Sequence, residues 1–374
     1  MTPWGVYVHV PWCRARCPYC AFAIVPEAGP APWRPYVAAL SREWARRAPA
    51  FPGRPDTLFL GGGTPSRLPP AAIAEIISLV RPVPGAEISA EANPDDLDDA
   101  WLHGAMHAGV TRVSLGVQTL QTAAARRLGR AHTLAQASTA IARLAAAPLA
   151  SWSVDLIFAV PGQTLAHLDA DLDAILSANP PHVATYGLTI EPGTAFARAT
   201  ARGSLPAVAD TRWREMYDRI VARLAEAGLP RYEVSNFARP GHRCRHNEGY
   251  WTDRPYAGLG PGAHGYAPDG ARWSNAAPLS AWQAADEPGG TAASPLPRQA
   301  AIDLLVSGVR GLDGVSTARL ASRTGLRCDP DVVALLVAGG ALQDRASHLT
   351  LAPGGYPICD AVVARLAGAL QPAQ

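Results

Sequence analysis

Over roughly the first two-thirds of the chain, two hydrophobic rhythms alternate. Short apolar and β-branched runs at 6–10, 57–60, 87–90, 112–116, 153–159 and 182–188 read as strands. Between them, apolar positions recur at helical spacing over 34–47, 70–80, 98–108, 134–146 and 165–177, and again over 211–227 after the last strand. Six strand-then-helix units predict an α/β fold with a parallel sheet, because parallel neighbours need a crossover long enough to hold a helix. A partial (β/α)6 barrel is expected, although a doubly wound sheet would write a similar string. In either fold, ligands collect at the carboxyl ends of the strands.

The rhythm breaks near residue 228. Residues 229–297 are rich in glycine, proline and aromatics, with one strand expected near 231–235. Helical spacing returns at 298–309, 316–324 and 330–338, followed by a short strand pair near Leu342 and 349–351 and a last helix over 358–370. The expected organisation is therefore a barrel over 1–228, a connecting segment over 229–297 and a smaller α+β unit over 298–374. Short helices followed by a hairpin resemble a winged helix. That unit has little basic excess, so a packing or lid role is expected, with no nucleic acid as partner.

Composition narrows the class. Hydrophobic residues at 48% and charged residues at 17% suit a globular protein. Net charge is +2, with acidic residues mixed among basic ones that are all arginine, so overall charge does not point to a polyanion. The longest apolar stretch, 332–342, is far shorter than the ~20 residues of a membrane-spanning helix. The opening MTPWGVYVHVPWC lacks the basic start and long apolar run of a secretory leader, so a cytoplasmic location is expected. Peripheral membrane contact stays open. Six cysteines are too sparse for a disulfide framework.

Three of those cysteines stand together. Cys13, Cys17 and Cys20 form C-x3-C-x2-C, and no fourth follows until Cys244. Three thiolates are one short of the usual set for an iron–sulfur cluster. A 4Fe–4S cluster so held keeps one iron open, much as a catalytic zinc keeps an open position. Zinc itself would want a fourth nearby ligand; His9 is close, but it shares a strand with Tyr7 and can point elsewhere. Downstream, Gly61-Gly62-Gly63-Thr64-Pro65 follows a strand, where glycines let a ligand approach bare backbone. It lacks the Gly-Lys-Ser/Thr ending of a P-loop, and Ser66 replaces the last glycine of a dinucleotide fingerprint.

YVHVPWCRARCPYCAF, GGGTPS, EANP, VSLGVQ, LGRAH and VDLIFAVPGQT, in that order, resemble the radical-SAM superfamily. Within it they resemble the branch that contains oxygen-independent coproporphyrinogen dehydrogenase and the heme chaperones of the HemW type. The resemblance implies a 4Fe–4S cluster on Cys13, Cys17 and Cys20 that chelates S-adenosylmethionine at its open iron. It implies cofactor contacts at Tyr7, Tyr19, Gly62, Gly63, Thr64, Glu91, Gln118, Arg130 and Asp155. Each of these also has a plainer structural use, and it is as a set that they point to a cofactor.

Three features separate the two relatives. The dehydrogenase continues its cluster motif with a further cysteine where this chain has Phe22, and has a longer arm than the twelve residues ahead of Cys13. The third feature is His246-Asn247-Glu248-Gly249-Tyr250-Trp251, which resembles the heme-binding H-N-x-x-Y-W motif of the chaperones. Imidazole can ligate heme iron, Tyr250 and Trp251 offer flat apolar surface, and Arg239, Arg243 and Arg245 could pair with propionates. Cys244 is an alternative thiolate ligand. The expected function is heme delivery to acceptor proteins such as respiratory enzymes, with an electron donor as a further partner and a homodimer compatible with the family. The alternative is the dehydrogenase reaction of porphyrin synthesis. Two departures stand out: Ala21 where the chaperones carry aspartate, and His264 of GLGPGAHG, to which no role is given. His103 and His107, four apart on a predicted helix, read as surface residues.

Overall fold

Six parallel strands, β1 (Gly5–Val10), β2 (Thr57–Gly62), β3 (Glu87–Ala92), β4 (Arg112–Gln118), β5 (Ser151–Phe158) and β6 (His182–Gly187), pair in chain order. They belong to a computed structural model that describes residues 3–285, 291–292, 295–345 and 347–373. The connections carry α1 (Trp33–Arg47), α2 (Pro70–Val80), α3 (Asp99–Ala108), α4 (Leu134–Ala146) and α5 (Leu165–Ser177), and α6 (Asp210–Glu226) follows β6.

Period-two alternation explains what each face does. One face of the strands carries Val6, Val8, Val10, Ile88, Ala90, Val113, Leu115, Val154 and Leu156, all buried in one apolar core with helix residues such as Leu40, Ile73, Ile76 and Leu172. Most intervening positions are polar, among them Tyr7, His9, Ser89, Glu91, Arg112, Ser114, Asp155 and His182, with Phe59, Ile157 and Ala184 as apolar exceptions. The barrel is thus aliphatic outside its strands and polar within. A parallel sheet usually buries apolar residues on both faces, so this polar interior marks where the chemistry sits.

Helix ends are written locally. Asp98 caps α3 by accepting from the Trp101 amide, and Thr133 with Gln136, like Thr164 with His167, closes a capping box at the starts of α4 and α5.

The connecting segment is more ordered than its composition suggests. The strand expected near 231–235 is displaced to β7 (Asn236–Ala238), antiparallel to β6, with Arg231 only bridging to Phe237. On the opposite edge, β8 (Tyr256–Leu259) runs parallel to β1, and β9 (His264–Tyr266), β10 (Arg272–Ser274) and β11 (Thr291–Ala292) continue antiparallel. The sheet reaches eleven strands, in the order β11-β10-β9-β8-β1-β2-β3-β4-β5-β6-β7. β8 hides from a propensity reading because close packing demands small residues: a Cβ on Gly258 would lie 1.7 Å from the His264 carbonyl oxygen. Glu43 of α1 anchors this edge, accepting from the Gly260 amide, Asn275 Nδ2 and Trp282 Nε1 at 2.9, 2.6 and 3.0 Å.

Between β7 and β8, α7 (Arg245–Trp251) lies across the amino ends of β2 and β3, where Glu87 accepts from the amides of Arg245 and His246. Beyond residue 295 come α8 (Pro297–Gly308), α9 (Thr317–Thr324) and α10 (Pro330–Ala338), a hairpin of Leu342–Arg345 with His348–Leu351, and α11 (Cys359–Gly368). Their buried residues Leu305, Val309, Leu320 and Leu366 share the barrel's apolar core. Among the described residues, no helix is long and apolar enough to cross a membrane.

Candidate functional site

The cysteine loop leaves the carboxyl end of β1 and is shaped mainly by its own backbone. Trp12–Cys13 pairs with Val25–Pro26, and a turn brings the Cys20 amide to the Cys17 carbonyl at 3.1 Å. Arg16 donates to the carbonyls of Phe22 and Ile24, and His9 Nε2 lies 2.8 Å from the Ala23 carbonyl. His9 therefore braces the loop from beneath and does not join the thiols.

Cys13, Cys17 and Cys20 are half-buried and unpaired, and all three border one cavity of about 680 Å³. Burial pushes the Cys13 thiol up to about 11 and raises that of Cys20, with the neighbouring sulfurs adding to both. Metal binding would reverse this, since a coordinated cysteine is deprotonated. Among the described residues, no three His, Cys, Asp or Glu side chains converge closely enough to hold a single ion. The thiols instead ring a space.

The rest of the cavity wall is built from strand ends. Gly62, Gly63 and Thr64 close β2, Glu91 and Asn93 close β3, Ser114, Gly116 and Gln118 come from β4, and Asp155 and Tyr186 come from β5 and β6. Only glycine suits position 62: its φ is +106°, and a Cβ there would strike the His9 ring at 2.5 Å. The Gly62 amide donates to Glu91 Oε2 over 3.0 Å. Gln118 holds φ at 69° where the β4–β5 register slips, a strained conformation of the kind that gathers at functional sites.

Burial holds back the ionisation of the carboxyls at this wall. Burial, reinforced by the nearby Asp155 charge, pushes the Glu91 carboxyl up to about 8. Burial likewise raises Asp155 to about 6, against the hydroxyls of Ser114 and Ser153, which donate to its Oδ1 over 2.8 and 3.2 Å. Arg130 donates to Asn93 Oδ1 and the Gly116 carbonyl at 2.6 and 2.8 Å, and towards Tyr19 Oη and Cys17 Sγ at 3.4 and 3.5 Å. Its Nε is buried without a partner. Two carboxylates suit a cationic group and hydroxyls, while a guanidinium with an unused N–H suits a carboxylate.

Residues 7–175 match the model of the Radical SAM superfamily. The chain is 40% identical over 272 residues to "Heme chaperone HemW" of Mycobacterium tuberculosis, an alignment covering 71% of this chain and 70% of that one. It is 37% identical over 280 residues to the protein of that name from Escherichia coli, covering 72% of each. This chain belongs to the HemW family. Among solved structures it resembles coproporphyrinogen III oxidase (HemN) from Escherichia coli, a radical SAM enzyme, with a TM-score of 0.82 and 19% identity over 98% of this chain and 90% of that one. At that identity the likeness establishes the partial barrel fold.

Membership in the HemW family and the radical-SAM superfamily implies a 4Fe–4S cluster and S-adenosylmethionine. The residues fit both: three free thiols border the cavity, whose lining also offers bare glycine backbone, two carboxylates and the unpartnered Arg130 Nε. Of the residues expected from sequence to meet the cofactor, Tyr19, Gly62, Gly63, Thr64, Glu91, Gln118, Arg130 and Asp155 share this cavity. Tyr7 does not. It lines a separate chamber of about 210 Å³ beneath, which shares Glu91, Ser114, Asp155 and Tyr186 with the cavity.

His246, expected as a heme ligand, lies away from the cavity that holds the three thiols. It sits at the amino end of the barrel, 4% exposed, with Nδ1 2.9 Å from Thr57 Oγ1 and Nε2 2.9 Å from Tyr250 Oη. Its ring stacks on Phe59 with centroids 5.3 Å apart. Both ring nitrogens are occupied, and the open cavity lies at the other end of the strands. The neighbouring arginines are also engaged: Arg239 with Asn179, Arg243 with Glu248 and Arg245 with Asp56. Cys244 is buried, its Sγ 3.5 Å from Glu87 Oε1. His103 and His107 lie exposed on α3.

Asn93, Ser114 and Tyr186 escaped the sequence reading as site residues. Asn93 stands inside the quoted EANP, and the period-two pattern puts Ser114 and Tyr186 on the polar face of their strands, a signal that was available. Phe22, 64% exposed, and Tyr186, 44% exposed, add uncovered aromatic surface to the cavity wall.

Proposed function

We propose that this chain is a heme chaperone that holds a 4Fe–4S cluster on Cys13, Cys17 and Cys20, binds S-adenosylmethionine beside it, and passes heme to acceptor proteins. The observation that carries the reading is the convergence of three unpaired thiols and a strand-end wall with two carboxyls and a guanidinium on one cavity of about 680 Å³. When bound, cluster and S-adenosylmethionine supply one-electron chemistry. The chain's own residues orient and shield. Gly62, Gly63 and Thr64 present backbone to the methionine part, Arg130 faces its carboxylate, and Glu91 and Asp155 take cationic and hydroxyl groups. Gln118 completes that wall, and Tyr19 offers its ring to the adenine.

The exposed faces of Phe22 and Tyr186 support a flat apolar cargo near this mouth, since uncovered aromatics beside a cavity mark interaction surface. Heme is the cargo we infer, with heme proteins as acceptors and an electron donor as partner, in the cytoplasm. A homodimer and contact with a membrane surface are further parts of this reading.

Anaerobic reconstitution followed by iron analysis and hemin titration tests it. The expected protein carries about four irons, loses them in Cys17→Ser, and shifts the hemin absorption band at stoichiometric ratio. A chain that takes up zinc but no iron, or leaves the hemin spectrum unchanged, would sink the proposal.

A further inference from the structure

Arg130 approaches one cysteine directly and a second through a relay. Its Nη1 lies 3.5 Å from Cys17 Sγ. Its Nη2 donates to Asn93 Oδ1 over 2.6 Å, the other end of that amide donates to Thr64 Oγ1 over 2.9 Å, and the Thr64 hydroxyl donates to Cys13 Sγ over 3.3 Å. The direction of every link is forced. A guanidinium only donates, so it must meet the carbonyl end of the Asn93 amide. The NH2 end then faces Thr64, whose oxygen accepts, leaving its single hydrogen for sulfur. Thr64 is 1% exposed, so water does not compete, and the Asn93 backbone N–H donates to Ser66 Oγ over 3.2 Å, anchoring the residue at the centre of the relay.

We propose that Asn93 is a positioning residue that aims the Thr64 hydroxyl at Cys13 and thereby raises the reduction potential of the cluster. The inference rests on the cluster reading above. Hydrogen bonds to cluster sulfurs are one of the levers that set the potential, because they favour the more electron-rich, reduced state. Linked bonds polarise one another, so the Arg130 charge is felt at Cys13 as well as at Cys17. Removing the amide frees the Thr64 hydroxyl to rotate away from sulfur.

The test compares wild type, Asn93→Leu, Thr64→Val, Thr64→Ser and the Asn93→Leu/Thr64→Val double variant, each reconstituted anaerobically. Iron per chain is measured first, and the midpoint potential then by a reductive titration followed by electron paramagnetic resonance. Both single variants should disfavour cluster reduction about tenfold, a drop of about 59 mV for one electron. Thr64→Ser should stay at the wild-type value, and the double variant should fall no further than either single, since both cut the same relay. Full iron loading with an unchanged potential in Asn93→Leu overturns the proposal, as do additive shifts in the double variant. Where the leucine prevents loading, Asn93→Ala takes its place. A wild type that binds no iron sinks the cluster reading and this proposal together, and the iron count tells that failure from the others.

Discussion

Replacing His246 by alanine separates a structural role from a ligating one. The imidazole is buried between Phe59, Thr57 and Tyr250, with both nitrogens at 2.9 Å from a hydroxyl. Alanine loses two hydrogen bonds, worth about 1 kcal/mol each, and strands the Thr57 and Tyr250 hydroxyls around a void. Truncating a buried ring typically costs about 3–5 kcal/mol, and that is the expected destabilisation. Denaturant unfolding followed by circular dichroism should show a lower midpoint, while hemin titration of the folded variant should give wild-type affinity and spectrum. An unchanged midpoint together with a lost heme-ligand spectrum would refute the reasoning and put the imidazole on iron. Acid adds a second reading. Burial pushes His246 down to about 3 from its ordinary 6.5, so the unfolded chain takes up the proton first. Stability from the neutral ring is complete above 6.5 and declines as pH falls towards 3. His246→Asn, which cannot charge, should show a shallower loss between about pH 7 and 4.

The strand-end carboxylates make S-adenosylmethionine affinity pH-dependent: a cationic ligand favours ionised Glu91 and Asp155, which in the free site sit at about 8 and about 6. Calorimetric affinity should climb as pH rises across that range, and Glu91→Gln should be weaker and flatter; a steep climb surviving in Glu91→Gln would count against the assignment. Glu43→Leu strands the Gly260 amide, Asn275 Nδ2 and Trp282 Nε1. It should cost about 3–5 kcal/mol, at about 1–3 kcal/mol for each buried donor left unsatisfied. Hydrogen exchange should accelerate first in β8 and β10, and a uniform response across all strands would show that Glu43 does not anchor this edge.

Much of the barrel was legible because two periodicities differ so sharply. All six parallel strands and their helices lie within a few residues of the expected spans, since β-branched runs and helical spacing are each written over many positions. Eight of the cavity residues were legible through the resemblance of their motifs to the radical-SAM superfamily. What sequence did not carry was packing between distant segments. β8 is short and its Gly258 serves a neighbour's backbone, so it lacks a strand's usual composition. The H-N-x-x-Y-W stretch reads as ligand chemistry through its resemblance to a heme-binding motif, not from its own spacing. The residues that surround His246 in the structure, Thr57 and Phe59, lie almost two hundred residues earlier in the chain. Asn93 was passed over for the opposite reason: a carboxylate announces chemistry, whereas an amide acts only through the partners that fix its two ends.

Heme transfer tests the central claim most directly. The reconstituted chain, loaded with hemin, is mixed with an excess of a heme-free acceptor protein, and the acceptor's absorption band is followed beside a parallel sample supplied with coproporphyrinogen, S-adenosylmethionine and reductant. Appearance of the holo-acceptor spectrum, with no protoporphyrinogen in the parallel sample, is the predicted result. Protoporphyrinogen formation without heme transfer would contradict it.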